Sequence, residues 1–445
     1  MMEAMRALHD NVDKVRLTRP VGRVVAVQGG VIELSGLARQ ACIGDRLELR
    51  RLNGSVLRGE IVQTDGALVH MMPDGAPEKV AVGDPAVLTP VPTFAPCDAW
   101  IGRVIDPFGA PLDDSPLPQG LVGRDVMATP PQASRRKPLG ERLATGLSVL
   151  NTLLPIVRGQ RIGLFAGSGV GKSRLMSQLA GNMGADVVVI ALIGERGREV
   201  NEFVHRVLGP EGMKRSIVVV ATSDQPAAIR RRCAWSAMAV AEHFRDAGQN
   251  VLFLVDSVTR LAEAHREIST TSGEAPALRG YPPSVTPLLT TLCERAGPGY
   301  SGQGDITAVF SVLVAGSDMD EPIADILRGT LDGHIVLDRK IAERGRFPAI
   351  DVGRSVSRSL PDCATDRENV LISETRKLLG AYEQSEVMIK AGLYQEGSDP
   401  NLDRAVMVWG ELDEYFSKSD GNGIDNSFER LGLILRRAGI TADRM

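Results

Sequence analysis

Aromatic side chains are scarce in this chain: Phe, Trp and Tyr make up 4% of its 445 residues. A protein that holds single strands of nucleic acid needs more stacking platforms than that. A formal net charge of −4 supplies no basic footprint for a phosphate backbone either, so no nucleic-acid partner is expected. Cysteine is equally sparse. Cys42, Cys97, Cys233, Cys293 and Cys363 lie far apart with no paired spacing, which supports neither a disulfide framework nor a zinc cluster and fits idle thiols in a reducing compartment. No apolar run approaches the ~20 residues that cross a bilayer. The N-terminus lacks the apolar core of a secretory signal. These absences predict a soluble, cytoplasmic protein, and its length predicts about three domains.

What the chain does carry is concentrated in Arg161-Ile-Gly-Leu-Phe-Ala-Gly-Ser-Gly-Val-Gly-Lys-Ser173. An apolar run enters a glycine-rich loop and is followed by the helix-forming Arg174–Ala180. Successive backbone N–H groups in such a loop cradle phosphate oxygens, and small residues let the main chain approach them. Ala166, Gly167, Ser168, Gly169, Val170, Gly171, Lys172 and Ser173 are the candidate nucleotide-binding set. Lys172 would reach the β- and γ-phosphates of ATP, and the Ser173 hydroxyl would hold Mg²⁺. The strict motif opens on Gly where this chain has Ala166, a residue small enough to keep the loop.

The texture of the chain changes along its length. Residues 1–20 are polar, with Met5, Leu8, Val12 and Val15 at helical spacing; a short helix and a frayed tail both fit. Residues 21–92 hold short β-branched runs (22–27, 31–34, 46–49, 59–62 and 67–70) separated by Gly-rich turns, the pattern of a small β-barrel. A span from 93 to 360 follows, opening with an irregular Pro/Gly-rich lead-in over 93–145. Beyond it, apolar runs at 187–193, 217–220, 251–255 and 306–314 alternate with helical patterns, predicting a mostly parallel sheet buried on both faces. Residues 361–445 read as helical, at 367–390, 401–418 and 428–438.

Two further constellations bear on chemistry. Gly194-Glu-Arg-Gly-Arg-Glu199 directly follows an apolar strand, and ligands of open parallel sheets sit beyond the carboxyl ends of strands. Alone it would be a solvated loop. Beside a phosphate loop, Glu195 can orient and deprotonate water and Arg196 can neutralise γ-phosphate charge. Asp256 ends the strand 251–255, where a carboxylate can join a Mg²⁺ shell through water. Strand ends also carry Asp as helix caps, so its weight comes from its order after the other two. Arg260 lies one helical turn on. Spacing assigns nothing to Arg346–Arg358, which reads as a basic loop.

Several stretches together resemble the rotary ATPase family: Gly194–Val200, Val-Asp-Ser-Val-Thr-Arg260, Gly280-Tyr-Pro-Pro-Ser284, Pro322-Ile-Ala-Asp325, Leu331–Leu337, and Phe347-Pro-Ala-Ile-Asp351 with Ser357-Arg358. Within it, the forms of the phosphate loop and of Gly194–Glu199 are most similar to the export ATPases of flagellar and type III secretion systems. The resemblance implies an α/β fold with an N-terminal small β-barrel, a central RecA-like P-loop domain and a C-terminal helical domain. It implies Glu195 as general base, Arg196 and Arg260 at the γ-phosphate, and Glu199 and Asp256 in the Mg²⁺ water shell. It further implies Phe347 against adenine and Arg358 as an arginine finger reaching the nucleotide of a neighbouring subunit, hence a homohexamer.

By the same resemblance the protein would be a flagellar export ATPase, cytoplasmic and peripheral to the inner-membrane apparatus. Its partners would be a stator-like regulator, a coiled-coil stalk protein, export-gate membrane proteins and chaperone–substrate complexes. An injectisome ATPase shares these motifs. A catalytic subunit of an ion-translocating synthase fits the loop forms less well. An RNA-translocating ring would need aromatics in its barrel, and 21–91 contains no Phe, Trp or Tyr. A non-hydrolysing subunit would lack the carboxylate of Glu195.

Overall fold

A computed structural model describes residues 18–28, 30–90, 93–113, 115–314, 319 and 321–440. The predicted short helix or tail over 1–20 falls almost wholly outside them. Six strands, β1 (Val21–Gln28), β2 (Val31–Ser35), β3 (Arg46–Arg50), β4 (Val56–Thr64), β5 (Leu68–Pro73) and β6 (Pro85–Thr89), close an antiparallel barrel in the order β1-β2-β5-β4-β3-β6. Alternation fills it: Val24, Ile32, Leu34, Leu47, Leu49, Val69 and Met71 point inward. At Gly59 a Cβ would fall 2.4 Å from the Met71 side chain, so only glycine lets β4 lie this close to β5. The β-branched runs read from the sequence stop at 70, whereas Pro85, still inside the 21–92 unit, begins β6, the strand that seals the barrel between β1 and β3. Proline is tolerated at the first residue of a strand because the missing N–H falls outside the ladder.

The central sheet has nine strands: β7 (Val104–Ile105), β8 (Arg161–Ala166), β9 (Val187–Glu195), β10 (Ser216–Thr222), β11 (Val251–Asp256), β12 (Gly297–Pro298), β13 (Asp305–Leu313), β14 (Gly333–Leu337) and β15 (Ile350–Ser357). Their order is β15-β14-β8-β13-β11-β9-β10-β7, with β12 beside β13. All pairs are parallel except those made by β12 and β15. Both faces are buried. Along β9, Val188, Ile190 and Leu192 enter one core, and Val187, Val189, Ala191 and Ile193 the other. Helix α1 (Lys172–Asn182) covers the first face. Helices α3 (Ala227–Asp246), α4 (Val258–Thr271) and α5 (Val285–Arg295) cover the second; between them in sequence, α2 (Gly197–Glu202) follows β9.

Two sequence readings needed correction. The lead-in is not wholly irregular, since β7 pairs with β10 at the sheet edge. The presumed basic loop Arg346–Arg358 contains β15, antiparallel to β14 with Gly333 opposite Ser357. Its buried residues, Ile350, Val352, Ser355 and Ser357, are half polar, which masks the alternation of an edge strand. Helix α6 (Pro322–Thr330) precedes β14, and after β15 the described residues form α7 (Asp366–Lys390), started by a Thr365–Glu368 capping box, α8 (Pro400–Ser417) and α9 (Ile424–Arg437). Tyr382 and Trp409 stack at 3.8 Å between α7 and α8. The barrel seats on the central unit through Val62 and Met72 against Ala227, Ala228, Ala264 and Ile268, beside a 2.8 Å Arg231–Glu60 ion pair. Among the described residues no helix is long and apolar enough to cross a membrane.

Candidate active site

The glycine-rich loop joins the buried end of β8 to α1. Gly169 and Gly171 hold φ of +78° and +90°, the left-handed region that side chains disfavour. Gly171 is the residue on which α1 starts, and a Cβ there would press on the Phe347 ring at 3.2 Å. The first amides of a helix lack intrahelical partners and carry the positive end of its dipole, which suits an anion. Ala166, where the strict motif has glycine, is buried at the strand end and its carbonyl accepts from the Val314 N–H at 3.0 Å. Its methyl packs into the core and leaves the loop unobstructed.

The parallel register brings the ends of β8, β11 and β9 to one edge, with β13 between the first two. Asp256, 3% exposed, is ion-paired to Lys172 and accepts a 2.9 Å hydrogen bond from the Ser311 hydroxyl. Glu195 ends β9, after Gly194 at φ +68°. A Cβ on Gly194 would sit 3.2 Å from the Arg260 side chain, so this glycine lets Arg260 cross. Arg260 in turn donates to Glu263 at 2.9 Å. Ala166–Gly169, Gly171–Arg174, Gly194–Arg196, Glu199 and Arg260 line one cleft of about 1090 Å³. Behind it a cavity of about 260 Å³ is lined by Ser173, Glu195, Glu199 and Asp256 against Leu192, Phe203 and Val207.

Burial pushes the Glu195 carboxyl up to about 7, helped by the nearby Asp256 carboxylate and a hydrogen bond with Glu199, and opposed by Lys172. A carboxyl poised near neutrality is suited to taking a proton from water. The Ser173 hydroxyl and the carboxylates around that cavity are hard oxygen donors. Among the described residues no three His, Cys, Asp or Glu side chains form a metal cage. Few protein oxygens, completed by phosphate and water, is the donor set Mg²⁺ accepts, so these residues fit that ion.

With this geometry in view, the comparisons converge. The nucleotide-binding domain of the ATP synthase alpha/beta family matches residues 146–357, and the T3SS EscN ATPase C-terminal domain matches 364–429. The flagellum-specific ATP synthase of Caulobacter vibrioides is 45% identical over 97% of this chain and 99% of its own length. That of Bacillus subtilis is 44% identical over 93% and 94%. The assembled ATPase EscN of the enteropathogenic E. coli type III secretion system superposes with a TM-score of 0.84 at 35% identity, covering 93% of this chain and 100% of EscN. The chain belongs to the flagellum-specific ATP synthase family. It is an ATP-hydrolysing enzyme of the flagellar and type III export class.

Within this export ATPase, the remaining sequence-selected residues fall in two places. Arg196 is exposed at the start of α2 and faces the main cleft. Phe347, 39% exposed, lies with its ring against the Gly171 turn. Arg358 is elsewhere. Its N–H bonds Asp332 O, and its guanidinium bonds the carbonyls of Arg328 and Leu331 at the end of α6. Since the Asp332 N–H bonds Arg161 O, Arg358 stands beside the start of β8, roughly 20 Å of strand from the loop at its end. Sequence reading missed Ser311 and the cleft residues Arg230, Glu263, Arg279, Tyr281 and Glu321. Ser311 had a usable signal, a hydroxyl inside a run otherwise apolar enough to be buried on both faces. Tyr281 lies in the Gly280–Ser284 stretch that helped carry the resemblance, without a role of its own, and the others come from separate helices and loops and carried none.

Proposed function

We propose that this chain hydrolyses ATP as a homohexameric ring, with each site completed by Arg358 of a neighbour. The observation that carries the reading is the separation just described: Lys172, Ser173 and Glu195 line one cleft, with Asp256 ion-paired to Lys172 beside it, while Arg358 lies at the far end of the same sheet. In the reaction, Lys172 and the loop amides hold the β- and γ-phosphates. Glu195 takes a proton from a water whose oxygen attacks the γ-phosphorus as the bond to the bridging oxygen breaks, leaving ADP and inorganic phosphate. Arg196, Arg260 and the neighbour's finger offset the charge that develops on the γ-phosphoryl oxygens. Ser173, with Asp256 and Glu199 through water, would hold Mg²⁺, which supplies further charge neutralisation. Phe347 offers its ring to adenine.

EscN is assembled in its solved structures and in one of them holds its central stalk EscO. By that likeness this ATPase takes a coiled-coil stalk protein in its pore. We further assign it a stator-like regulator near residues 1–20, and export-gate membrane proteins and chaperone–substrate complexes at the C-terminal helices. It would work in the cytoplasm beside the inner-membrane export apparatus. The flagellar assignment is favoured by the flagellum-specific relatives in several bacteria.

Mixing two inactive variants tests the shared site. Arg358→Ala keeps the phosphate loop and lacks the finger; Lys172→Ala keeps the finger and lacks the grip. Random 1:1 hexamers place a finger beside an intact loop at about a quarter of interfaces, so activity should reappear in the mixture. No gain over the separate variants, at concentrations that saturate assembly, would sink the reading.

A further inference from the structure

We propose that Ser311 is a positioning residue that keeps Asp256 aimed at the metal-binding corner once Lys172 moves to the nucleotide. The inference rests on the Mg²⁺–nucleotide site proposed above and assigns a role to a residue outside the phosphate loop and the catalytic set.

In the structure, Oδ1 of Asp256 takes both the Lys172 ammonium and the Ser311 hydroxyl, the latter at 2.9 Å. Asp256 is 3% exposed and Ser311 is fully buried. When Lys172 turns to a triphosphate, its ion pair with Asp256 is exchanged. A buried carboxylate stripped of its partners is costly and free to turn. Ser311 stays, because it sits on a strand and not on the loop. The parallel register sets Val255 beside Phe310, so Ser311 follows alongside Asp256. On its other edge β13 pairs Ser311 with Leu164 of β8.

The end of β13 is stitched to both halves of the site. The Leu313 N–H bonds the Thr259 hydroxyl at 2.9 Å, and the Val314 N–H bonds Ala166 O at 3.0 Å. Ser311 therefore carries a fixed hydroxyl between the strand that launches the phosphate loop and the strand that ends in Asp256. With Oδ1 held, the second carboxylate oxygen is left for the water shell of the ion. The Lys172–Asp256 pair becomes an exchangeable placeholder, and Ser311 the part of the grip that does not exchange.

The test measures ADP binding to the full-length protein by calorimetry as Mg²⁺ is titrated, and again in excess chelator. Ser311→Ala should raise the half-saturating Mg²⁺ concentration about tenfold, in the range seen when outer-shell partners are lost. ADP affinity without metal should stay within about twofold, since Lys172 and the loop amides are untouched. Ser311→Cys, which fills the same space with a weak donor, should shift Mg²⁺ dependence in the same way, and Ser311→Thr should restore it. An unchanged Mg²⁺ requirement in Ser311→Ala overturns the proposal. So does an equal loss of ADP affinity with and without metal, or a Thr variant that behaves like Ala. A wild-type protein whose ADP binding ignores Mg²⁺ would remove the metal site itself, a separate failure visible before any variant is made.

Discussion

As the base proposed above, Glu195 should set the acid limb of catalysis. Burial is the largest cause of its raised pKa, the Asp256 carboxylate adds to it, and Lys172 only partly offsets them, leaving the carboxyl at about 7. The free-enzyme ionisation governs kcat/KM, and the base works only as the carboxylate. A single group at about 7 is ionised in about one tenth of molecules at pH 6 and about nine tenths at pH 8. The kcat/KM for Mg²⁺–ATP should therefore climb close to tenfold, about as steeply as pH itself below pH 6. An unshifted glutamate would give a nearly flat profile between pH 6 and pH 8. Glu195→Gln should lower turnover by about 10²–10⁴-fold, keep ADP binding, and leave a residual rate without this limb. Stability carries the opposite sign. Because folding raises this carboxyl above its ordinary 4.5, its contribution is whole below that value and fades as pH passes about 7. Glu195→Gln should thus melt above wild type at pH 8 and lose that advantage toward pH 5. The reasoning is refuted if wild-type kcat/KM is level from pH 5.5 to 8 while Glu195→Gln is inactive.

Three further outcomes are expected. Glu242 bonds the fully buried Arg295 through two hydrogen bonds of 2.9 and 2.6 Å, so Glu242→Ala should cost about 3–5 kcal/mol by denaturant unfolding; a loss under about 1 kcal/mol would contradict this. Gly171→Val puts a β-branched residue at φ +90° against the Phe347 ring and should weaken ADP binding at least about tenfold without changing far-ultraviolet circular dichroism; wild-type affinity would show that the turn tolerates a side chain. Single-stranded RNA should leave the ATPase rate unchanged, because the barrel residues 21–91 contain no Phe, Trp or Tyr, and severalfold stimulation would reopen the translocase reading.

Local chemistry made much of this protein legible. The loop 166–173 could be read as a candidate because a phosphate cradle depends on consecutive backbone amides and on glycines, both written in one short stretch. The core strands β9, β10, β11 and β13 announced themselves as apolar runs, since a strand buried on both faces has no polar side to confuse it. Edges were harder. Strand β6 begins on a proline and β15 interrupts its pattern with Gly353, Arg354 and two buried serines, so neither followed the periodicity that marks a half-buried strand.

Legible from neighbours along the chain were the α/β character, the barrel ahead of it, the helices behind it and a candidate phosphate loop. Only the tertiary structure decided that Ser311, 55 residues beyond Asp256 in sequence, holds its carboxylate, and that burial lifts Glu195 to near neutrality. It also decided that Arg358 ends beside the start of β8 and not at its own phosphate loop. These depend on strand order and register, which set distance and solvent exclusion between segments that no local pattern links.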